Sequence, residues 1–308
     1  MLNYNVVMIV VYVFVGSLPS YAVTTVHQLR CFYDGDVYFV VSDTESTYAK
    51  QLETDYHVTI VPYTTIECVE FKTFTDAFAH RFCYCAGLTG REKLFWYSIE
   101  RFFLLQNLMF KYSLENVFFA ELDNLIYDDP RVWETAFQRH NLNFMFDNTD
   151  RYSSGICFVK NADALQTFSD ITYSFIEHTD EFVTEMTILS KLAKRYPEQV
   201  GILPTHWPAD GIPEVASRSF ENFGCSIFDA AAIGIFLGGL DPYHSNGIVK
   251  LGARSPFSAI DYTSYGFKWE ADALGRRVPY IKDDTNQRWL RLNNLHIHSK
   301  DLKSYLSM

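Results

Sequence analysis

The sequence predicts a single α/β domain on a mostly parallel central sheet, with a mixed second half. Three observations predict it. A β-branched run near the N-terminus leads through a turn and a helix pattern into a second apolar run. A long helix pattern near position 100 is apolar almost all round. After it, Asn116-Val117-Phe118-Phe119-Ala120 ends abruptly in Glu121-Leu122-Asp123-Asn124. Strands alternating with helices and joined by short turns favour parallel pairing.

The first run, Asn5 to Val15, carries Val6, Val7, Ile9, Val10, Val11, Val13 and Val15. Such content suits a strand buried on both faces. Ser20-Tyr21-Ala22 resembles a signal-peptidase site, but Met1 to Asn5 holds no Lys or Arg, and the run is too short to span a membrane. The strand reading therefore leads, with no cleaved leader and a cytoplasmic location expected. A secretory location follows only if the run is a signal. Gly16 to Pro19 makes a turn, Ser20 to Phe32 a helix, and Asp36 to Ser42 a second strand, completing a βαβ unit. His57 to Pro62 reads as a third strand after an exposed stretch that includes Asp43 to Ser46.

Arg91 to Phe110 is a core helix, because a helix apolar all round must be buried. Asn116 to Ala120, Asn143 to Phe146 and Gly155 to Val159 read as further strands. Glu181 to Arg195 is an amphipathic helix closed by Pro197, and Gly201 to Asn222 is loop. Phe228 to Phe236 reads as a small-residue helix, and Trp289 to His298 as a closing strand. No repeat, low-complexity segment or linker divides the chain.

The 308 residues, 48% hydrophobic, suffice for one large core. A formal charge of −11 disfavours nucleic acid as a partner, since that binding needs Lys and Arg at phosphates. The six cysteines match no zinc spacing, and Cys83-Tyr84-Cys85 is not a C-x-x-C pair. They read as reduced and structural, which points to a reducing compartment. No transmembrane segment is expected, and peripheral membrane contact stays open.

Glu121 and Asp123 stand at i and i+2, so in extended chain their carboxylates share one side. Apolar residues flank both, which places them where a buried strand ends. Paired oxygens there suit a hard divalent cation that keeps water and phosphate in its shell. In the closing strand Leu295 and Ile297 share one face, and His296 and His298 the other. Imidazole suits Mn²⁺ better than Mg²⁺, so manganese is the expected ion, with magnesium as alternate. Arg101 lies inside the apolar helix and must find a partner, either a diphosphate or a strand-end carboxylate. The bland alternative for Glu121 and Asp123 is a turn cap or a pair with Arg131. No Walker lysine, G-x-G-x-x-G or G-x-S-x-G is present.

Together the opening βαβ unit, Glu121-Leu122-Asp123 and the tail Asn293-Asn294-Leu295-His296-Ile297-His298-Ser299-Lys300 resemble glycosyltransferases of the GT-A (Rossmann-like) fold. Phe228 to Gly234 and Leu237 to Pro242 also resemble sparsely characterised bacterial and viral-type members. The resemblance spans essentially the whole chain. It implies one domain over 1–308, with a nucleotide-sugar half to about 130 and an acceptor half with a metal-completing tail from about 131. It further implies that Glu121 and Asp123 hold the metal on a nucleoside-diphosphate sugar of UDP or GDP. A C-terminal histidine would complete the shell, with His298 preferred and His296 second, and Lys300 would meet the diphosphate. The turn at Val15 and Gly16 would contact base and ribose.

The implied activity is metal-dependent transfer of a sugar to a hydroxyl of a glycan or glycoconjugate. Asp180, Glu181, Glu185 and Asp229 are candidates on the acceptor side, with Glu185 or Asp229 as general base. Two alternatives remain. One is a nucleotidyltransferase making the activated sugar, for which Gly16-Ser17-Leu18-Pro19-Ser20 lacks the basic glycine-rich loop. The other is a non-catalytic sugar- or protein-binding module that retains the fold.

Overall fold

The computed structural model describes residues 8–78, 94–179, 181, 183–240, 251–282 and 288–308. Its elements in chain order are β1 (Ile9–Phe14), α1 (Tyr21–Arg30), β2 (Val37–Val41), α2 (Thr47–Tyr56), β3 (Thr59–Pro62) and α3 (Val69–Ala77). Next come α4 (Leu94–Tyr112), β4 (Val117–Ala120), β5 (Asn124–Ile126), α5 (Glu134–Phe137), β6 (Leu142–Asn148) and β7 (Arg151–Val159). Then follow α6 (Gln166–His178), α7 (Glu185–Arg195), β8 (Val200–Leu203) and α8 (Ala232–Gly238). The last strands are β9 (Gly266–Ala271), β10 (Arg277–Lys282), β11 (Leu290–Arg291) and β12 (Asn294–His296).

The main sheet runs β3-β2-β1-β4-β7-β6-β8. β1 pairs parallel with β2 and β4, and β2 pairs parallel with β3, as the sequence predicts. β7 is antiparallel to both β4 and β6, and β8 is parallel to β6. The C-terminal ends of β1, β4, β6 and β8 therefore meet the start of β7 along one edge. That edge is where open α/β sheets place their ligands.

Both faces of the sheet are covered, so its central strands are apolar throughout. Val10, Val11 and Tyr12 of β1 are fully buried. On one face α4 and α6 pack aromatic rings, Phe102 lying 4.4 Å from Phe168 between centroids. On the other, α1 and α5 close a second core in which Phe137 stacks on Phe158 at 4.8 Å.

Several expectations change. The first strand is described from Ile9, and Asn5 to Val7 lie outside the described residues, as do Cys83 and Cys85. α2 forms where only an exposed stretch and a strand were expected, because Ser46 caps it by accepting from the Tyr48 N–H. α6 and the β9–β10 hairpin were also missed. β8 runs from Val200 into the start of the expected loop Gly201 to Asn222; its run is too short for a periodicity signal and gains its ladder only from β6. The expected closing strand is two pieces: β11 pairs with β10, and β12 with β5. Within Phe228 to Phe236 only the part from Ala232 is helix, because Ala231 takes a left-handed φ of 85° and breaks the run. Cys31, Cys68, Cys157 and Cys225 carry free thiols. Among the described residues no helix is long and apolar enough to cross a membrane.

Candidate metal centre

The chain leaves the sheet at Ala120 and turns back at once. The Glu121 N–H donates to the Gly155 carbonyl at 3.0 Å, and the Asn124 N–H to the Glu121 carbonyl at 3.0 Å. Strand alternation is thus not what unites Glu121 and Asp123; a tight turn at the strand end does so. β5 then pairs antiparallel with β12, setting His296 opposite Asn124. The Ile297 N–H extends the ladder to the Asp123 carbonyl at 2.8 Å. His296 Nε2 arrives 3.2 Å from Asp123 Oδ1 and 3.4 Å from Glu121 Oε2. One donor atom from each of these three residues lies within 4.8 Å of the other two.

Two glycines make room for this histidine. A Cβ at Gly155 would stand 2.8 Å from His296 Nδ1, and one at Gly234 would stand 1.9 Å from the His296 carbonyl oxygen. Below it sits Asp229, fully buried on the turn before α8. Its Oδ1 accepts from the Ile233 N–H at 2.9 Å, and its Oδ2 from Gly234 at 2.8 Å and His296 at 2.9 Å. Burial pushes this carboxyl up, opposed by those N–H groups. The expectation of Asp229 as a general base is corrected: its oxygens are committed to backbone, so it positions His296. Asp229→Asn would set amide hydrogens against backbone donors. It is expected to cost about 3–5 kcal/mol in urea denaturation.

The charges form one chain. Arg101 Nη2 lies 2.6 Å from Glu121 Oε1 and 4.0 Å from Glu185 Oε1. Of the two partners weighed for Arg101, the fold supplies carboxylates. Glu185 opens α7 behind the Thr184 cap and accepts from the Ser98 hydroxyl at 2.5 Å. Burial pushes the Glu185 carboxyl up, with Arg101 opposing. Lys300, at a left-handed φ of 64°, pairs with Asp123. Burial alone would raise the Asp123 carboxyl, yet His296 and Lys300 hold it well below the usual range. Burial would likewise lower His296, and Asp123 carries it above its ordinary value.

The remaining sequence candidates fall as follows. The His298 ring lies tilted beside that of His296, 4.9 Å between centroids, so the preferred histidine neighbours the three-residue group and the second choice joins it. Val15 and Gly16 leave β1 at the same sheet edge, since Val11 pairs with Phe119; the Gly16 N–H donates to Ser42 Oγ at 3.2 Å, at φ 119°. Glu181 is an exposed partner of Lys191 and is not one of the three residues of this group. Asp180 lies outside the described residues. Arg131 pairs with Asp129 and Asp34.

Asp147 was missed. It ends β6 at the same edge, 5% exposed, with Arg151 Nε at 3.9 Å as its paired cation among the described residues. Nearby Tyr262 donates to the Thr205 carbonyl at 2.6 Å, and the Thr205 hydroxyl is buried without a hydrogen-bond partner among the described residues. Burial pushes the Asp147 carboxyl up to about 6, against the pull of Arg151 and with Asp229 adding to the rise. The signal was legible: Phe144-Met145-Phe146-Asp147 is an apolar strand ending in acid, just like the run that revealed Glu121. A raised carboxyl stabilises the folded state at low pH and loses that contribution as pH rises through its folded value. Asp147→Asn is therefore expected to stabilise the protein by about 2–3 kcal/mol at pH 8 and by little below pH ~4. Urea melts across pH check this, and a pH-independent difference would contradict it.

No family model and no curated protein matches the chain. Among solved structures it is similar to mouse xyloside xylosyltransferase 1, at 12% identity and a TM-score of 0.46, over 64% of this chain and 85% of that one. It is also similar to the glycosyltransferase GlyE of Streptococcus pneumoniae TIGR4, at 13% identity and a TM-score of 0.40, over 63% of this chain and 44% of that one. A third is the bifunctional WbbM, at 11% identity and a TM-score of 0.40, over 67% of this chain and 40% of that one. The matched region spans less than half of the latter two chains.

Proposed function

We propose that this chain is a glycosyltransferase that moves a sugar from a nucleoside-diphosphate donor, UDP- or GDP-linked, to a hydroxyl of a glycan or glycoconjugate. The observation that carries this reading is the convergence of Glu121, Asp123 and His296 at the C-terminal edge of the sheet. Two carboxylate oxygens and one imidazole nitrogen suit Mn²⁺, with Mg²⁺ second. His296 Nδ1 is buried and accepts or donates no hydrogen bond among the described residues, so the ring is held by packing with Nε2 toward the acids. When bound, the cation neutralises charge that develops on the leaving diphosphate.

The chain's own residues do the rest. Arg101 and Lys300 bring positive charge to both acids, so an acidic protein can accept a diphosphate at this edge. Val15 and Gly16 flank the donor side, within a nucleotide-sugar half reaching to about residue 130. From about 131 onward the acceptor half places Glu185 and Asp147 at the same edge, and an inverting reaction would draw its general base from these two.

Calorimetry of the full chain against UDP and GDP sugars, with Mn²⁺ and then with EDTA, tests the reading. Metal-dependent nucleotide binding is expected. No nucleotide-sugar binding, with Mn²⁺ or without it, would instead overturn the transferase reading.

A further inference from the structure

A second cleft lies beyond the far end of the β5–β12 ribbon. It has a volume of about 360 Å³, and none of Glu121, Asp123 or His296 lines it. From Asp123 the chain runs through β5 to reach Asp128 on the cleft wall, a span of roughly 15 Å in extended chain. Three separate parts of the fold converge there: the segment after β5, the turn Asn222–Ser226, and the strands β10 and β11.

The lining combines flat aromatic surface with planar, fixed polar groups. Tyr280 and Trp289 are half-buried walls. Lys268 Nζ holds the Trp289 ring from 4.3 Å. Arg291 Nη1 pairs with Asp128 at 3.2 Å, and its Nη2 donates to the Tyr127 carbonyl. Its Nε is buried and makes no hydrogen bond among the described residues. Asn222 adds an amide at the rim, already oriented by Arg139 at 2.7 Å. Arg291 and Asp128 keep part of their side chains exposed on a wall that also carries aromatic faces, and that pairing calls for a ligand with both hydroxyls and apolar C–H faces. A purely apolar ligand would leave Arg291 and Asp128 unsolvated, and a simple anion would not use the rings.

We infer that this cleft is a saccharide-binding site, sized for roughly one or two pyranose rings. Its rings stack on the C–H face of the sugar while Asn222, Asp128 and Arg291 meet hydroxyls. That the bound sugar belongs to the acceptor, held away from its reacting end, rests on the transferase reading; the binding itself does not.

The test titrates the full chain with xylotriose, cellotriose, chitotriose and maltotriose, read by saturation-transfer NMR and by tryptophan fluorescence. At least one is expected to bind with Kd in the range ~0.1–10 mM. Trp289→Ala should weaken it at least about tenfold, and Asn222→Ala, a change at an exposed rim that leaves the core intact, about threefold. Asp123→Asn should leave it unchanged. The proposal is overturned if none of the four binds, if binding survives both cleft variants, or if Asp123→Asn abolishes it. Loss of metal-dependent nucleotide binding with saccharide binding intact would instead count against the transferase reading alone.

Discussion

Replacing Asp123 with asparagine is expected to lower sugar transfer by about a thousandfold, equal to ~4 kcal/mol of transition-state stabilisation. Asp123 is buried at the strand end, between the His296 nitrogen at 3.2 Å and the Lys300 ammonium. Asparagine keeps the shape and removes the charge. The site then holds Arg101, Lys300 and His296 against Glu121 and Glu185, and a divalent cation meets one carboxylate fewer at its centre. Metal affinity should fall together with the rate, whereas the far-ultraviolet circular dichroism should not change. The measurement is initial rate against Mn²⁺ concentration in wild type and variant. Full activity in the variant, or a wild-type rate indifferent to EDTA, would remove the metal from the mechanism.

Deleting the chain after Leu295 is expected to abolish folding rather than weaken ligand binding alone. The tail is packed into the fold. Ile297 is fully buried and Leu302 nearly so. Ser307 exchanges hydrogen bonds with the Gln28 side chain at 2.8 and 2.9 Å and donates to the Arg277 carbonyl at 2.7 Å. Tyr127 donates to the Tyr305 carbonyl at 2.7 Å, and Tyr305 to the Leu237 carbonyl at 2.9 Å. Two buried aliphatics contribute about 3–6 kcal/mol, and the severed bonds leave the Gln28 Oε1 and the Tyr127 hydroxyl unpaired in the core, while Gln28 Nε2 keeps the Ile126 carbonyl. That sum rivals the whole stability of a typical domain. Removing only the residues after Leu306 isolates the Ser307 bonds and should cost about 2–4 kcal/mol. A cooperative melt of the Leu295-terminated chain at wild-type stability would show that the tail is not part of the core.

Much of the site was written in local pattern. A buried strand must be apolar, so an acid at its end stands out, and this rule alone found Glu121 and Asp123. Applied once more it finds Asp147. The β-branched first run and the all-apolar α4 were legible for the same reason: burial on every side leaves no room for polar residues. Elements half in solvent, such as α2, α6 and the β9–β10 hairpin, mix polar and apolar residues and blurred into their surroundings. β8 was hidden because a four-residue strand exists only by virtue of its partner.

The sequence by itself determined an α/β sheet whose β1 and β4 are central, an acidic strand end, and a histidine-bearing tail. Only the tertiary structure decided which groups meet. Register between β5 and β12, a non-local pairing across some 170 residues, chose His296 over His298 for the three-residue group. Close approach decided the rest: Gly155 and Gly234 admit the His296 ring and backbone, and Asp229 is spent on three N–H groups that no spacing rule could assign to it. Periodicity reports what a residue's neighbours along the chain require. Contacts made across the fold depend on packing, and packing is settled only when all elements are in place.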